Sequence, residues 1–299
     1  MSSKDAKAVV LRFDTPRPLI DVTHHLHKAT MLHLADPNAL VQWSKSDGLM
    51  HVQVVNRPRT VTYRRSLYPR LHFHLLQTGD VLNEMNWIVN LSAWSQLFVD
   101  GDTDPVWLQL GPVLSVTRRY GSDCVWTPLP SGISRTYFQF PRAPDLVLDT
   151  TAITRCASLS VGVGARLIQV FNKLALYSDS DMTLQLRRSS AEMRTASSTE
   201  PRGYVVQYES LGDTSSSPTQ KSSIELQKER SQHIHSANID CIEPACISFP
   251  VRPLREWIVV MAQCTRMEFA FTTGSAALFV HYYQNDARIA SIICVPVQG

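Results

Sequence analysis

The sequence lacks any long hydrophobic run. No stretch approaches the roughly 18–20 consecutive apolar residues that a membrane-spanning helix requires. The first residues, Met1 to Asp5, contain no apolar signal region. We therefore expect a protein that is neither inserted in a membrane nor secreted. A large charge imbalance is also missing, because the formal net charge is only +3, and such a total does not by itself indicate a nucleic-acid partner.

The motifs that accompany common enzyme chemistries are missing as well. There is no Gly-x-Ser-x-Gly string to present a nucleophilic serine and no Gly-x-x-x-x-Gly-Lys loop to hold a phosphate. Gly162 and Gly164 lack the third glycine of a dinucleotide-binding fingerprint. The sequence therefore predicts no enzyme, no catalytic residue and no cofactor.

Metal-ligand spacing is weak throughout. Of the six cysteines, only Cys241 and Cys246 are close together, and they do not form a Cys-x-x-Cys pair. We expect these cysteines to be small buried hydrophobes in a reducing compartment. The cluster of His24, His25 and His27 has no further ligand nearby. No metal site is therefore expected among these residues.

Three alternate carboxylates, Asp100, Asp102 and Asp104, are the kind of oxygen ligands that Ca²⁺ prefers. The glycine and the closing glutamate of an EF-hand loop are absent. We interpret the segment as a solvated loop and keep the three aspartates only as weak metal candidates.

Strand-like patterns dominate what is present. Met182, Leu184 and Leu186 alternate with polar residues, which is the period of a half-buried strand. Apolar runs at 173–176 and 257–261 are also interpreted as strands, and further candidates follow about 8–12 residues apart to the C-terminus. Short helices are expected only near 23–34 and 224–229, and Pro16 and Pro18 predict an extended segment. No internal repeat is visible. The pattern predicts an all-β protein with antiparallel strands.

Positive charge is concentrated between Asp47 and Asp80, where no acidic residue occurs. Tyrosines and histidines lie between the basic residues, and arginine with aromatic groups can bind phosphates and stack on bases. The alternative is a solvated strand face or a contact with a neighbouring subunit. The candidate residues for RNA or subunit contact are Arg57, Arg59, Arg64, Arg65 and Arg70.

Five segments, taken in order, resemble the coat subunits of picorna-like RNA viruses, including dicistroviruses, iflaviruses and secoviruses. They are residues 111–120, 171–187, 203–209, 233–251 and the final strands, which end in Val295-Pro296. The resemblance implies an antiparallel eight-stranded jelly-roll β-sandwich at 106–299. Residues 1–105 would then form an N-terminal arm or extension, which could include early strands of the sandwich.

The function implied by this resemblance is that of a structural capsid protein. It would assemble with sister subunits, as a homo- and hetero-oligomer, into an icosahedral shell around genomic RNA, and would occur in the virion and the host cytoplasm. The terminal Gln298 and Gly299 resemble a junction cut by the proteases of such viruses. The alternatives are a viral movement or RNA-binding accessory protein, a non-viral β-sandwich ligand-binding module using Trp257, and a metal-dependent enzyme using the histidines.

Overall fold

The structure, a computed structural model, describes residues 8–30, 38–55, 61–78, 84–98, 101–111, 113–120, 123–128, 131–133, 155–174, 181–196, 205–210, 233–272 and 275–294. These residues form nineteen strands and five helices in two compact units. Unit 1 is Met1–Asp145 with Asp286–Ile292, and unit 2 is Leu146–Asn285 with Ile293–Gly299. The division expected from the sequence, between residues 105 and 106, falls inside unit 1. Among the described residues, no helix is long and apolar enough to cross a membrane.

Unit 1 contains two helices and two groups of paired strands. Its elements in chain order are β1 (Val9–Phe13), α1 (Arg17–Thr30), β2 (Asn38–Ser44), β3 (Leu49–Val55), β4 (Val61–Leu67), β5 (His74–Thr78), β6 (Glu84–Asn90), α2 (Leu91–Gln96), β7 (Val106–Leu110), β8 (Ser115–Tyr120), β9 (Asp123–Pro128) and β10 (Ser131–Ile133). One group has the order β5-β1-β7-β8-β9, and the other runs β10-β6-β2-β3-β4. Beside β4 lies β19 (Ala287–Cys294), the last of the described strands.

Unit 2 is built from a similar set of elements. In chain order they are β11 (Arg155–Gly162), α3 (Ala165–Leu174), β12 (Asp181–Leu186), β13 (Ser190–Ala196), β14 (Val205–Ser210), β15 (His233–Cys241), β16 (Ala245–Pro250), α4 (Arg252–Glu256), α5 (Ile258–Met261), β17 (Arg266–Thr272) and β18 (Ser275–Gln284). Their order in the sheet is β18-β17-β11-β15-β14-β13-β12-β16. The β14–β15 pair is parallel, and the other pairs described in this unit are antiparallel.

The two units repeat one topology. In unit 1, β1 pairs with β5 and β7, and in unit 2, β11 pairs with β15 and β17. Likewise β2 lies between β3 and β6, as β12 lies between β13 and β16. A helix follows the first strand of each half and another precedes the last strands. The expectation of no internal repeat was therefore wrong for the fold, because the repeat is in the pairing of strands and not in the residues.

The first helix begins where the sequence suggested extended chain. Pro16 and Pro18 flank Arg17, the first residue of α1, and the carbonyl of Pro16 accepts hydrogen bonds from the N–H groups of Leu19 and Ile20 at 2.9 and 3.0 Å. Proline is tolerated in the first turn of a helix because its missing N–H has no intrahelical partner there. The two prolines thus start the helix. The helix expected near 224–229 lies outside the described residues.

Two segments expected to be strands are helical. Lys173 and Leu174 end α3, and the apolar run from Ile258 to Met261 is α5. Pro253 near the start of α4 is compatible with a helix N-terminus. A short apolar run does not distinguish a buried strand from a buried helix, and here tertiary packing favours the helix.

The eight-stranded jelly-roll β-sandwich expected for 106–299 is not the observed fold. Each unit combines its strands with a pair of helical segments, and the described strands follow the repeated pairing given above. The core of unit 1 includes Phe13, Trp43 and Phe73, with ring centroids 5.6 Å apart for the two phenylalanines and 6.3 Å apart for Trp43 and Phe73. Phe73, which directly precedes β5, thus contacts a strand of each group, since Phe13 lies in β1 and Trp43 in β2.

The described cysteines differ in their environments. Cys264 and Cys294 are buried, as expected for small hydrophobes, and burial raises the pKa of the Cys294 thiol to about 12. Cys124 and Cys246 are exposed, so the same expectation was wrong for them. Cys124 lies on β9 and Cys246 on β16, and each of these strands is the last in the order of its sheet.

Candidate nucleic-acid interface

Helix α3 presents a polar face. Leu167, Val170 and Phe171 are buried, whereas Gln169, Asn172 and Lys173 are exposed. This is the spacing of an amphipathic helix, whose apolar residues recur every three or four positions. The Phe171 ring stacks on Phe269 of β17, with centroids 6.5 Å apart and 10° between the planes. The polar face therefore points away from this strand.

The α4–α5 segment packs on the same face of the sheet as α3. Trp257, between the two helices, contacts Tyr282 of β18 edge-on at 5.8 Å, and both side chains are buried. Phe269 pairs with Val280 and Met267 pairs with Tyr282, which places Phe269 and Tyr282 on one sheet face. Helix α3 also packs against α4 and α5. The three helices form one layer, which we call the unit 2 helix layer.

This layer is basic. Its helices contain Arg166, Lys173, Arg252 and Arg255 against the single acidic residue Glu256. Lys173 and Arg255 are exposed, and Arg252 is partly exposed. Helix α3 has no acidic residue at all. Such a surface attracts phosphate groups.

The helices of unit 1 are less basic. In α1, Arg17 is bound to Asp21 by an ion pair of 2.9 Å between Nε and Oδ1. The sequence of α2 contains no charged residue. His24 is exposed and His25 is buried, because the segment is helical and consecutive residues point in different directions. Among the described residues, no group of three or more His, Cys, Asp or Glu side chains is placed to hold a metal.

The arginines selected from the sequence are not brought together on one surface. Arg64 and Arg65 lie in β4 and are 6% and 3% exposed. Arg70 is exposed in the following turn, where its φ is +65°. Arg57 and Arg59 lie outside the described residues. Arg64 and Arg65 are consecutive on a strand and point to opposite sheet faces, and both faces are covered at this position.

The buried arginines lie near histidines that are held neutral. Nδ1 of His51 is 2.9 Å from Oγ of Ser66, and burial, with Arg64 and Arg288 nearby, lowers the pKa of His51 well below its ordinary value. Burial lowers the pKa of His72 to about 4, with a further contribution from Arg65. Nδ1 of His72 accepts a hydrogen bond from the N–H of Tyr68 at 3.0 Å. We therefore assign both histidines to the internal packing of unit 1 and not to the candidate interface.

Of the aspartates selected as weak metal candidates, Asp102 takes part in an ion pair and a backbone hydrogen bond. Oδ2 of Asp102 binds Nη1 of Arg118 at 2.7 Å, and Oδ1 accepts a hydrogen bond from the N–H of Asp104 at 3.4 Å. Arg118 also donates to the carbonyl of Leu97 and lies 5.3 Å from the ring centre of Phe98. Asp104 is exposed, and Asp100 lies outside the described residues. Gln298 and Gly299, the candidate processing junction, also lie outside them.

Neither a protein-family model nor a curated protein matches this sequence. Among solved structures, the chain is similar to that of Proliferating Cellular Nuclear Antigen from Entamoeba histolytica, with a TM-score of 0.61 and 10% identity. The match covers 96% of this chain and 98% of that chain. The interpretation as a picorna-like jelly-roll coat subunit, with the capsid function that it implied, is therefore wrong. The two β-sandwich alternatives fail with the same fold. At this identity the likeness establishes the fold, and the fold is that of Proliferating Cellular Nuclear Antigen.

Proposed function

We propose that this protein is a DNA-clamp-like scaffold that holds duplex DNA against the unit 2 helix layer. The observation that carries the proposal is the basic character of that layer in a chain whose fold resembles Proliferating Cellular Nuclear Antigen over nearly its whole length. The role needs no catalytic group. It is consistent with the expectation from the sequence that the protein is not an enzyme.

The chemistry of the layer is suited to the DNA backbone. Lys173 and Arg255 can each neutralise a phosphate, which releases condensed counterions and makes the affinity depend on salt. The exposed amides of Gln169 and Asn172 can donate hydrogen bonds to phosphate oxygens. Contacts of this kind position a protein on DNA without reading the bases. We therefore expect binding that is insensitive to sequence.

The helices of unit 1 should attract DNA phosphates less strongly than those of unit 2. The Arg17 guanidinium is already engaged by Asp21, and an arginine in an ion pair loses part of its charge attraction for a phosphate. Unit 2 therefore contributes more of the expected affinity than unit 1.

A second copy of the chain is the expected partner in this role. Strands β9 and β19 are equivalent in the repeat, because each is the third strand after the second helical segment of its half. Strand β19 lies beside β4, whereas β9 is at the end of its strand order. Among the described residues β9 therefore has a strand neighbour on one side only. An edge strand presents backbone N–H and C=O groups that can pair with another chain. Exposed Val125 on β9 supports this site of self-association.

The test is a salt titration of DNA binding by the intact protein. Fluorescence anisotropy with two labelled duplexes of equal length and unrelated sequence gives Kd at several salt concentrations. The proposal predicts equal affinities for both duplexes and a linear fall of log K with log salt, with a slope of about −0.9 for each phosphate contacted. Absence of binding at low salt, or a strong preference for one sequence, would reject it.

A further inference from the structure

A small pocket opens on strands β12, β13 and β14 of unit 2. Its volume is about 240 Å³. This is room for a ligand of amino-acid size. The pocket is lined mainly by polar side chains, namely Gln185, Arg187, Ser190, Glu192, Gln207 and Glu209.

Strand register places these side chains on one face. Gln185 pairs with Glu192, Glu192 pairs with Gln207, and Ser190 pairs with Glu209. Residues two apart on a strand share a face, so these strand residues point to the side opposite the buried Leu184 and Met193. Diagonal neighbours on adjacent strands are about 7–8 Å apart at Cα. The carboxylates of Glu192 and Glu209 can therefore reach the same ligand atom.

Charge around the pocket is separated and balanced. Glu192 and Glu209 supply two carboxylates, and Arg187, in the turn between β12 and β13, supplies a guanidinium. Nη2 of Arg194 binds Oε1 of Glu192 at 2.6 Å, which places a second guanidinium beside the pocket. Two arginines thus balance two glutamates. A ligand that matches this pattern has one positive and one negative group and no net charge.

The corresponding face of unit 1 is closed. On β2, β3 and β4 the side chains of Gln42, His51 and Ser66 form an equivalent polar row, and all three are buried. In unit 2, Gln185, Glu192 and Gln207 are only partly buried, and Arg187 and Glu209 are exposed. The opening is therefore a property of the unit 2 sequence and not of the repeated topology.

We propose that this pocket binds a small zwitterion, a free α-amino acid, with its ammonium group at Glu192 and Glu209 and its carboxylate at Arg187. A guanidinium donates paired hydrogen bonds to a carboxylate, and carboxylates accept charge-assisted hydrogen bonds from an ammonium group. The amides of Gln185 and Gln207 are available to the polar part of the ligand. The site involves no residue of the helix layer and is independent of DNA binding.

The experiment uses L-serine as the probe with the intact protein in the absence of DNA. Side-chain amide resonances of Gln185 and Gln207 are followed by NMR during titration. Serinamide, which lacks the carboxylate, and N-acetyl-L-serine, which lacks the ammonium group, are the matched ligands. We expect serine to shift both amide signals with saturation, and each matched ligand to bind at least tenfold more weakly.

Two variants test which side chain binds the carboxylate of the ligand and which binds its ammonium group. Arg187→Gln and Glu209→Gln should each weaken serine binding at least tenfold, whereas the exposed controls Arg188→Gln and Glu243→Gln should leave it unchanged. Circular dichroism checks that each variant is folded, and the wild-type ligand comparison stands without any variant. Serinamide binding as tightly as serine would show a cation site and overturn the zwitterion proposal. An absence of saturable shifts in the wild-type protein would overturn the site itself.

Discussion

The ring of Phe171 on α3 lies almost parallel to that of Phe269 on β17, at 10° and 6.5 Å between centroids. Both side chains are buried. The contact ties the helix that carries Lys173 to the sheet beneath it. The position of the exposed cation therefore depends on an apolar contact two residues away.

Removal of this contact should destabilise the protein. Phe171→Ala deletes a buried ring and leaves a cavity, which typically costs about 3–5 kcal/mol. Asn172→Ala, at the exposed neighbouring position, should change the free energy of unfolding by less than about 0.5 kcal/mol. Urea unfolding followed by circular dichroism measures both. Equal unfolding free energies for the two variants would show that the stacked ring does not hold α3.

The Asp102–Arg118 ion pair should contribute measurably in unit 1. The two side chains are 21% and 16% exposed, so solvent screens the 2.7 Å contact less than it screens a surface pair. A double-mutant cycle with Asp102→Asn and Arg118→Met should give a coupling energy of about 1 kcal/mol. Asp104→Asn, at an exposed position of the same loop, is the control. A coupling energy near zero would contradict this role of Asp102.

Acid should destabilise the protein before its carboxylates are protonated. The pKa of His72 is lowered to about 4, whereas a histidine in the unfolded chain titrates near 6.5. Below pH 6.5 the unfolded chain therefore binds a proton that the folded chain does not, and the free energy of unfolding falls as pH decreases toward 4. His51, whose pKa is also lowered, acts in the same direction.

The measurement is the urea midpoint of unfolding at pH 7.5, 6.5, 5.5 and 4.5. The first value lies above the range from pH 6.5 to about 4 in which stability should fall, and the others lie within it. His72→Gln should make the free energy of unfolding less dependent on pH, by at most about 1.4 kcal/mol per pH unit. Asn172→Ala, at an exposed position of α3, removes no titratable group and should leave the dependence of the urea midpoint on pH as it is. If the His72 variant and the wild-type protein showed the same dependence, the lowered pKa would not be coupled to folding.

Self-association should depend on the open edge of β9. Val125 is 47% exposed on this strand, and a charge on an edge strand opposes pairing with another chain. Val125→Lys should shift the protein toward monomers in sedimentation velocity. Ile242→Lys, at a position that is 67% exposed between β15 and β16, is the control and should not shift it. Equal behaviour of both variants would place the interface elsewhere.

Much of the strand content could be predicted from the sequence. Met182, Leu184 and Leu186 alternate with polar residues as predicted, and β12 has this burial pattern. The strands β16 to β19 also contain the apolar runs at 246–251, 267–271, 278–283 and 289–295 that predicted strands there, each to within a few residues. Local alternation is sufficient for a strand such as β12 because it records which side chains are buried, whereas β17 to β19 are buried on both faces and were predicted from continuous apolar runs.

The helices of unit 2 and the repeat could not be obtained in the same way. Leu167, Val170 and Phe171 have helical spacing, but α3 and α5 are short and their apolar residues run into stretches that also suit a strand. The repeat is carried by which strands pair, a property of distant segments that leaves no shared letters. The resemblance to coat proteins rested on strands followed by turns, which many antiparallel proteins share.

The candidate site was missed for a related reason. Arginines at 57–70 drew attention because they are dense in sequence, yet Arg64 and Arg65 are buried on a strand with neighbours on both sides. Lys173 and Arg255 are 82 residues apart in the chain and come into one layer only through the packing of α3 on α4 and α5. Recognition of α3 as an amphipathic helix without acidic residues was the one local signal available.

The most direct test of the clamp-like proposal compares two double variants in duplex DNA binding. Lys173→Ala with Arg255→Ala removes two exposed cations of the unit 2 helix layer, and Arg187→Ala with Arg188→Ala removes the same charge from the β12–β13 turn. We expect the first double variant to bind more weakly at low salt and to reduce the slope of log K against log salt by about 2, one for each lost phosphate contact. The second double variant should bind as the wild-type protein does. Equal losses in both variants, or no loss in the first, would contradict the assignment of the helix layer as the DNA-binding surface.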